Sequence, residues 1–234
     1  MRAAFANEME KLAAVNEELI LLSGDIGNRM FDSFKNQWPD RFYNCGIGEA
    51  NMTGLAAGLA LTGFHPVTYT IASFNTYRCL EQIRIDICYQ NLPVVIVGVG
   101  AGLSYASLNA THQSLEDIAA LRAIPNISII CPGDPWEVRA AIRLAIHHAG
   151  PVYIRMAQKN APLVHENIPE MKFGDAFKLR DGSDVCILNC GALLPNALIS
   201  ADILKEKNIS CSVVSMPTVK PLNTELLKEI LSEY

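Results

Sequence analysis

The chain has 234 residues, half of them hydrophobic, and 24 acidic against 19 basic side chains leave a net charge of −5. That length and apolar content support one or two domains with their own cores, while the acidic balance and the lack of any Lys/Arg run offer no basic surface for nucleic acid. The apolar stretches are short and interrupted, so none reads as a membrane span. The N-terminal MRAAFANEMEKLAAVNEEL reads as an amphipathic helix and not as a signal peptide. Cys45, Cys79, Cys88, Cys131, Cys186, Cys190 and Cys211 form no CxxC or Cys/His pair, and they read as reduced core residues of a cytoplasmic protein.

Helical periodicity runs from Arg2 to Glu18 and gives way to Leu19-Ile20-Leu21-Leu22, a strand ending near Asp25. A loop with Asn28, Arg29 and Phe31 follows, then polar sequence through Pro39, and Phe42 to Cys45 leads into Gly46-Ile47-Gly48-Glu49. A small-residue helix from Met52 to Leu61 comes next, with Gly54 and Gly58 spaced so that another backbone could approach closely. His65 to Thr70 reads as a strand, and Tyr77 to Gln90 as a helix ended by Asn91-Leu92-Pro93. Val94 to Gly98 is a continuous apolar strand of the kind buried on both faces of a parallel sheet. Ile127 to Cys131, Pro135 to Ala149 and Val152 to Arg155 repeat strand, helix and strand. The alternation predicts an α/β fold, an open and mostly parallel sheet flanked by helices. Residues 161–182 read as a polar linker between a first domain, 1–160, and a partial second α/β domain, 183–234, with a strand at Val185 to Asn189, a helix at Pro195 to Lys207 and a strand at Ser212 to Ser215. About 50 residues make a poor independent core, so the chain is expected to stop short of its natural end.

An acid at the head of a helix, as Glu49 is, ordinarily caps or is solvated, favoured by the positive end of the helix dipole. Its company says more. GIGEANMTGLAAGLALTG resembles the catalytic-glutamate segment of the thiamine-diphosphate enzymes of the transketolase family. HPVTYTIASFNTYRCLEQIRIDICYQNLPVVIVGVG is similar to their aromatic-bearing helix and next strand, THQSLEDIAALRAIPNISIICPGDPWE to their histidine segment, and GPVYIR to their arginine-bearing strand. The four motifs stand in order, and the resemblance covers roughly residues 1 to 230.

The resemblance implies the pyrimidine-binding domain of that family and a cofactor, thiamine diphosphate, whose thiazolium carbanion attacks a carbonyl while the protein supplies orientation and electrostatics. Glu49, set beside Ile47, Met52 and Leu55, matches the carboxylic acid that bonds the pyrimidine ring nitrogen. Phe74 matches the aromatic stacked on the pyrimidine. Tyr77, three residues on, shares its face if the segment is helical, with core packing the alternative for both. Arg78, Glu81 and Arg84 read as structural ion pairs. His112 matches the histidine that contacts donor hydroxyls and can shuttle protons. Arg155 and Arg2 match arginines that bind the substrate phosphate, with surface ion pairing as the alternative. Asp25 corresponds to an acid near the cofactor across a subunit interface.

Departures from the family pattern bear on the substrate. Leu108 stands where an aspartate reads sugar hydroxyls, Gly100 where a histidine contacts phosphate, and Arg29 roughly where a serine helps to bind it. A leucine cannot make the hydroxyl contact by which such a site discriminates. The family's GDG…N site for the diphosphate and Mg²⁺ is missing, since Gly24-Asp25, Gly133-Asp134 and Gly174-Asp175 lack that pattern. The resemblance therefore implies the pyrimidine-binding subunit of a two-chain transketolase. An N-terminal subunit would hold Mg²⁺ and the diphosphate, in a heterotetramer built on a dimer of this chain. Two alternatives stand beside ketol transfer: a 2-oxo-acid decarboxylating relative, like deoxyxylulose-phosphate synthases or the beta subunits of 2-oxo acid dehydrogenases, and a non-catalytic partner subunit.

Overall fold

The continuous apolar runs become the middle of a seven-stranded sheet. The structure, a computed structural model, describes residues 1–27, 29–157 and 161–234. Asn28 and the expected domain boundary at 160 lie outside the described residues. The sheet contains β1 (Leu19–Ser23), β2 (Phe42–Asn44), β3 (His65–Ile71), β4 (Val95–Val99), β5 (Ser128–Ile130), β6 (Val152–Met156) and a late strand, β10 (Thr218–Lys220), in the order β10-β5-β6-β4-β3-β1-β2. All pairs are parallel except β10 with β5.

Successive strand side chains point to opposite faces. Leu19 and Leu21 therefore join a core with Tyr69, Val97 and Ile154 under α1 (Arg2–Ala13), α2 (Asp32–Gln37) and α6 (Pro135–Ile146). Phe5 of α1 stacks on Tyr69 with ring centroids 5.1 Å apart, and Phe31 meets Tyr69 edge-on at 5.0 Å. Ile20 and Leu22 join Ile96, Ile129 and Tyr153 under α3 (Glu49–Leu61), α5 (Asp117–Arg122) and the segment 77–89. Each such side chain, fully buried, contributes about 1.5–3 kcal/mol. Both faces are covered, and that is why these strands lack a polar alternation.

Three expectations need adjusting. The first helix ends at Ala13, not Glu18, because the Arg41 guanidinium donates to the carbonyls of Ala13 (3.0 Å) and Asn16 (2.8 Å), while Asn16 Oδ1 accepts from the Glu18 amide at 3.0 Å. The helix expected from Tyr77 to Gln90 is composite: a 3₁₀ turn, Tyr77–Cys79, then α4 (Leu80–Gln82) and a π-helix, Ile83–Tyr89. Winding with i→i+5 bonds suits the joint burial of Ile83, Ile87 and Cys88. The polar linker contains a strand, β7 (Phe177–Arg180), whose four residues are too few to show a period.

A three-stranded sheet follows, β7-β9-β8, from β7, β8 (Val185–Asn189) and β9 (Cys211–Ser215); α7 (Leu194–Glu206) packs on it, and α8 (Thr224–Ser232) ends the chain. This unit is tied to the first. β10 pairs with β5, and the buried Glu137 of α6 accepts from Ser215 Oγ at 2.7 Å and bonds His165 Nε2 at 2.9 Å. Gly54 and Gly58 of α3 have no atom of the described residues within 4 Å of where a Cβ would sit, so their spacing serves no contact within the described chain. The cysteines are free and mostly inside, but Cys190, in the turn after β8, is exposed, against the expectation of a core residue. No helix among the described residues is long and apolar enough to cross a membrane.

Candidate active site

Open α/β sheets bind ligands in the crevice at the carboxyl ends of their strands, and here β1, β3, β4 and β6 end together at Ser23, Ile71, Val99 and Met156. Glu49 enters this edge as the first residue of α3, delivered by the glycine loop after β2, and is only 3% exposed. Gly24 packs beside it: a Cβ there would crowd Thr70 Oγ1 at 3.0 Å and only touch Glu49 Cγ at 3.5 Å. The Thr70 hydroxyl is buried with no hydrogen-bond partner among the described residues. Of the apolar neighbours expected around Glu49 only Met52 is buried, since Ile47 is 78% and Leu55 42% exposed; both leave the carboxylate for the outer side of the loop and helix.

The carboxylate is met by Arg78, whose Nη1 donates to Oε2 at 3.0 Å, and the same guanidinium lies 4.0 Å from the centroid of the Phe74 ring. Phe74 is held by a turn, not a helix. Asn75, fully buried, donates to Thr68 Oγ1 (3.1 Å) and the Val97 carbonyl (3.0 Å), and Thr76 Oγ1 donates back to the Ala72 carbonyl at 2.7 Å. The helical conformation begins only at Tyr77, so Phe74 and Tyr77 share no helix face. Tyr77 turns to another loop, donating to Glu116 Oε2 at 2.9 Å and accepting from its amide at 3.0 Å. Burial pushes the Tyr77 phenol up from its ordinary pKa, and the Tyr77 hydrogen bond pulls the Glu116 carboxyl down.

His112 packs its ring edge-on to Phe74, centroids 4.9 Å apart, and Thr111 Oγ1 lies 2.9 Å from its Nδ1. Its loop is anchored by the Gly102–Ser114 bridge and by Ser73 Oγ, which donates to the Thr111 carbonyl at 2.9 Å. Asn109, at φ 60° and ψ −165°, occupies a conformation usual only for glycine, and its carbonyl accepts from the amides of His112 and Gln113. Tyr105, which the sequence did not single out, stands 6.3 Å from the His112 ring and fills the space beside Gly100, where a Cβ would fall 1.9 Å from the phenol ring. The signal was there in Gly100, whose missing side chain leaves a volume for a neighbour.

The other candidates are engaged elsewhere or exposed. Arg155 donates through Nε to Asp117 Oδ2 at 2.8 Å and through Nη2 to the Ser114 carbonyl at 2.9 Å, and Tyr153 donates to the same Asp117 oxygen at 2.8 Å. Burial works against the Arg155 charge, but Asp117 outweighs it and the guanidinium's pKa rises. Asp117 is fully buried and its Oδ1 has no partner among the described residues. Arg2 Nε donates to Tyr69 OH at 3.1 Å, and burial carries that phenol up to about 12. Asp25 accepts from Asn44 Nδ2 at 3.0 Å, and Asn44 Oδ1 accepts from the Gly46 amide, which links Asp25 to the loop before Glu49. Arg29 is exposed and Leu108 is 48% exposed.

Glu49, Phe74 and His112 thus form one continuous surface with Arg78 and Tyr105. A buried carboxylate beside an open aromatic face suits a flat nitrogen heterocycle, which needs one hydrogen-bond partner in its plane and one stacking partner above it. The guanidinium of Arg78, planar and rich in N–H, already makes both contacts.

Residues 1–164 match the family described as "Transketolase, pyrimidine binding domain", and residues 174–234 match "Transketolase, C-terminal domain". The chain is 33% identical over 234 residues to one subunit of an apulose-4-phosphate transketolase of Phocaeicola vulgatus, with 99% of this chain and 75% of that one covered. It is 36% identical over 228 residues to "1-deoxy-D-xylulose-5-phosphate synthase" of Microcystis aeruginosa, covering 95% of this chain but only 36% of that protein. A solved "Split gene transketolase, inactive beta4 tetramer" superposes with a TM-score of 0.89 at 35% identity, over 97% of this chain and 74% of the other. Fold, motif order and these matches agree: the chain belongs to the transketolase family and carries its pyrimidine-binding domain.

Proposed function

We propose that this chain is the pyrimidine-binding subunit of a thiamine-diphosphate transketolase, which moves a two-carbon ketol unit from a ketose donor to an aldehyde acceptor. One observation carries the proposal: a planar N–H donor sits at once on Glu49 Oε2 and on the face of Phe74, the two contacts an aminopyrimidine needs. The cofactor, when bound, supplies the electron sink for the carbonyl chemistry. Glu49 shares a proton with the pyrimidine ring nitrogen and so governs which tautomer is held. Phe74 orients the ring by stacking. His112, packed against Phe74, faces the donor hydroxyls and moves protons there. The remaining N–H groups of Arg155, with Arg2, favour an anionic end of the substrate, and Leu108 provides an apolar contact where a hydroxyl would otherwise be read. Asp25 and Tyr77 complete the cofactor side, and Arg29 the substrate side.

We assign Mg²⁺ and the diphosphate to a separate N-terminal subunit on the likeness to split relatives; these 234 residues carry no GDG…N segment to hold them. The relative that is itself one subunit of a transketolase and the split-gene neighbour support that division. The test is a donor screen of the chain assembled with such a partner, thiamine diphosphate and Mg²⁺. Ketol transfer from a ketose phosphate, with no release of CO₂ from pyruvate, is expected. Decarboxylation of pyruvate without ketol transfer would overturn the reaction and favour the 2-oxo-acid branch. No turnover with any donor, by a pair that binds the cofactor, would favour a non-catalytic subunit.

A further inference from the structure

Arg78 forms the ion pair expected of it, but its partner is not a neighbour on its own segment. Glu81 and Arg84, three apart, face each other at 3.9 Å. Arg78 instead reaches a carboxylate 29 positions away in sequence, and that carboxylate's side chain is only 2% exposed while its own is 47% exposed. The arginine stands on the 3₁₀ turn Tyr77–Cys79, directly after the turn that fixes Phe74. From there one side chain both donates to Glu49 Oε2 and covers the Phe74 ring at 4.0 Å. A guanidinium is flat, delocalised and weakly hydrated, so it stacks on aromatics and pairs with carboxylates in ways an ammonium does not.

Those two contacts are mutually exclusive with the ones proposed for the cofactor. Glu49 Oε2 cannot accept from Arg78 while sharing a proton with a ring nitrogen in the same place, and one face of Phe74 stacks one flat group at a time. We propose that Arg78 is a positioning residue that occupies the pyrimidine subsite of the empty protein, pairs the buried Glu49 until the cofactor arrives, and swings out as the pyrimidine enters. This rests on the pyrimidine-site assignment above and adds a step to it: loading is an exchange of one planar nitrogen group for another. The half-exposed stem gives the side chain a way out. A half-exposed ion pair and a cation–π contact are each weak, so the brake is modest, worth roughly three- to tenfold in apparent affinity.

The test titrates the complex of this chain and its partner subunit with thiamine diphosphate and Mg²⁺, following binding by calorimetry. Wild type is compared with Arg78→Ala, Arg78→Gln and Arg78→Lys. The Ala and Gln variants are expected to bind roughly three- to tenfold more tightly, and Lys, which keeps charge but not the flat fork, to fall between. In Arg78→Ala, guanidinium chloride at a few millimolar should refill the gap and compete with the cofactor, whereas wild type and sodium chloride controls should show no such effect. In wild type the Arg78 Nε–H resonance should shift on loading as it leaves the Phe74 ring current, a readout that survives if the variants fold poorly. Equal or weaker binding by the Ala and Gln variants, an unmoved Arg78 resonance, or no guanidinium competition would overturn the exchange. These outcomes leave the site assignment intact provided wild type binds; a wild-type complex that takes up no cofactor would instead overturn the assignment itself.

Discussion

Arg155 has a structural role that stands beside the binding role proposed for it. Its partner Asp117 is fully buried, and the Tyr153 hydroxyl also donates to the same carboxylate oxygen. Breaking a buried ion pair from one side strands a charge at a cost of about 3–5 kcal/mol. Arg155→Ala is therefore expected to lower stability by about 3 kcal/mol or more in urea unfolding; a change under about 0.5 kcal/mol, the size of an ordinary surface substitution, would mean that Asp117 is not held by this pair. In the assembled enzyme the same variant should raise KM for an anionic substrate more than it lowers kcat, and an unaltered KM for all anionic substrates would remove the phosphate role. Leu108→Asp should disturb the native acceptor preference; unchanged preference and rate would mean that position 108 does not face substrate. The proximity of Glu49, Phe74 and His112 was legible because they sit inside long ordered motifs. Asp117, Arg78 and Tyr105 were not. Their roles arise from contacts 29 to 38 positions apart in sequence or from a space left by Gly100, and no local spacing encodes either.

At the level of elements, the N-terminus of α6 is the joint between the two units. Asp134 caps the helix by accepting from the Glu137 amide at 2.7 Å, and its other oxygen accepts from the amides of Val164 and His165, both at 2.9 Å. Pro135 stands in the first turn and Glu137 reaches back to the Gly133 amide, a reciprocal capping arrangement. His165 completes the joint on Glu137. Burial would lower its pKa, but the bond to Glu137 prevails and raises it above the ordinary 6.5. A raised folded-state value means that protonation favours the folded state. The contribution is complete below 6.5 and is lost as pH rises through the raised value. Urea midpoints should therefore fall between mildly acidic and alkaline pH in wild type and fall less in His165→Gln; parallel profiles would contradict this. Gly98→Ala tests the other face of the sheet, since a Cβ there would meet Tyr153 OH at 2.6 Å and backbone at Ala72 at 3.0 Å. It should cost about 1–3 kcal/mol by overpacking, and a neutral result would mean that the tyrosine can give way. The longer strands were readable as continuous apolar runs, and α1, α3, α6 and α7 as helical stretches, while α8 was not read. β2, β7 and β10, with three or four residues each, were not, because two alternations make no pattern and their pairing is decided by distant strands.

For the whole molecule, the central claim is that half of a thiamine-diphosphate site lives on this chain. Alone, the chain should bind the cofactor weakly and show no turnover, and tight Mg²⁺-dependent binding by the isolated chain would contradict the division of labour. With its partner it should assemble as a heterotetramer around a dimer of this chain; a stable monomer beside an active partner, seen by light scattering, would count against that. The most direct measurement is hydrogen–deuterium exchange at the thiazolium carbon of thiamine diphosphate in the reconstituted complex, wild type against Glu49→Gln. Glutamine keeps the shape but cannot share a carboxyl proton with the pyrimidine nitrogen, and acid–base roles of this kind are typically worth about 10²–10⁴ in rate. Exchange slowed by about 10² or more, with cofactor binding only modestly weakened, is the predicted result. Equal exchange rates in the two proteins would remove Glu49 from catalysis and contradict the central claim.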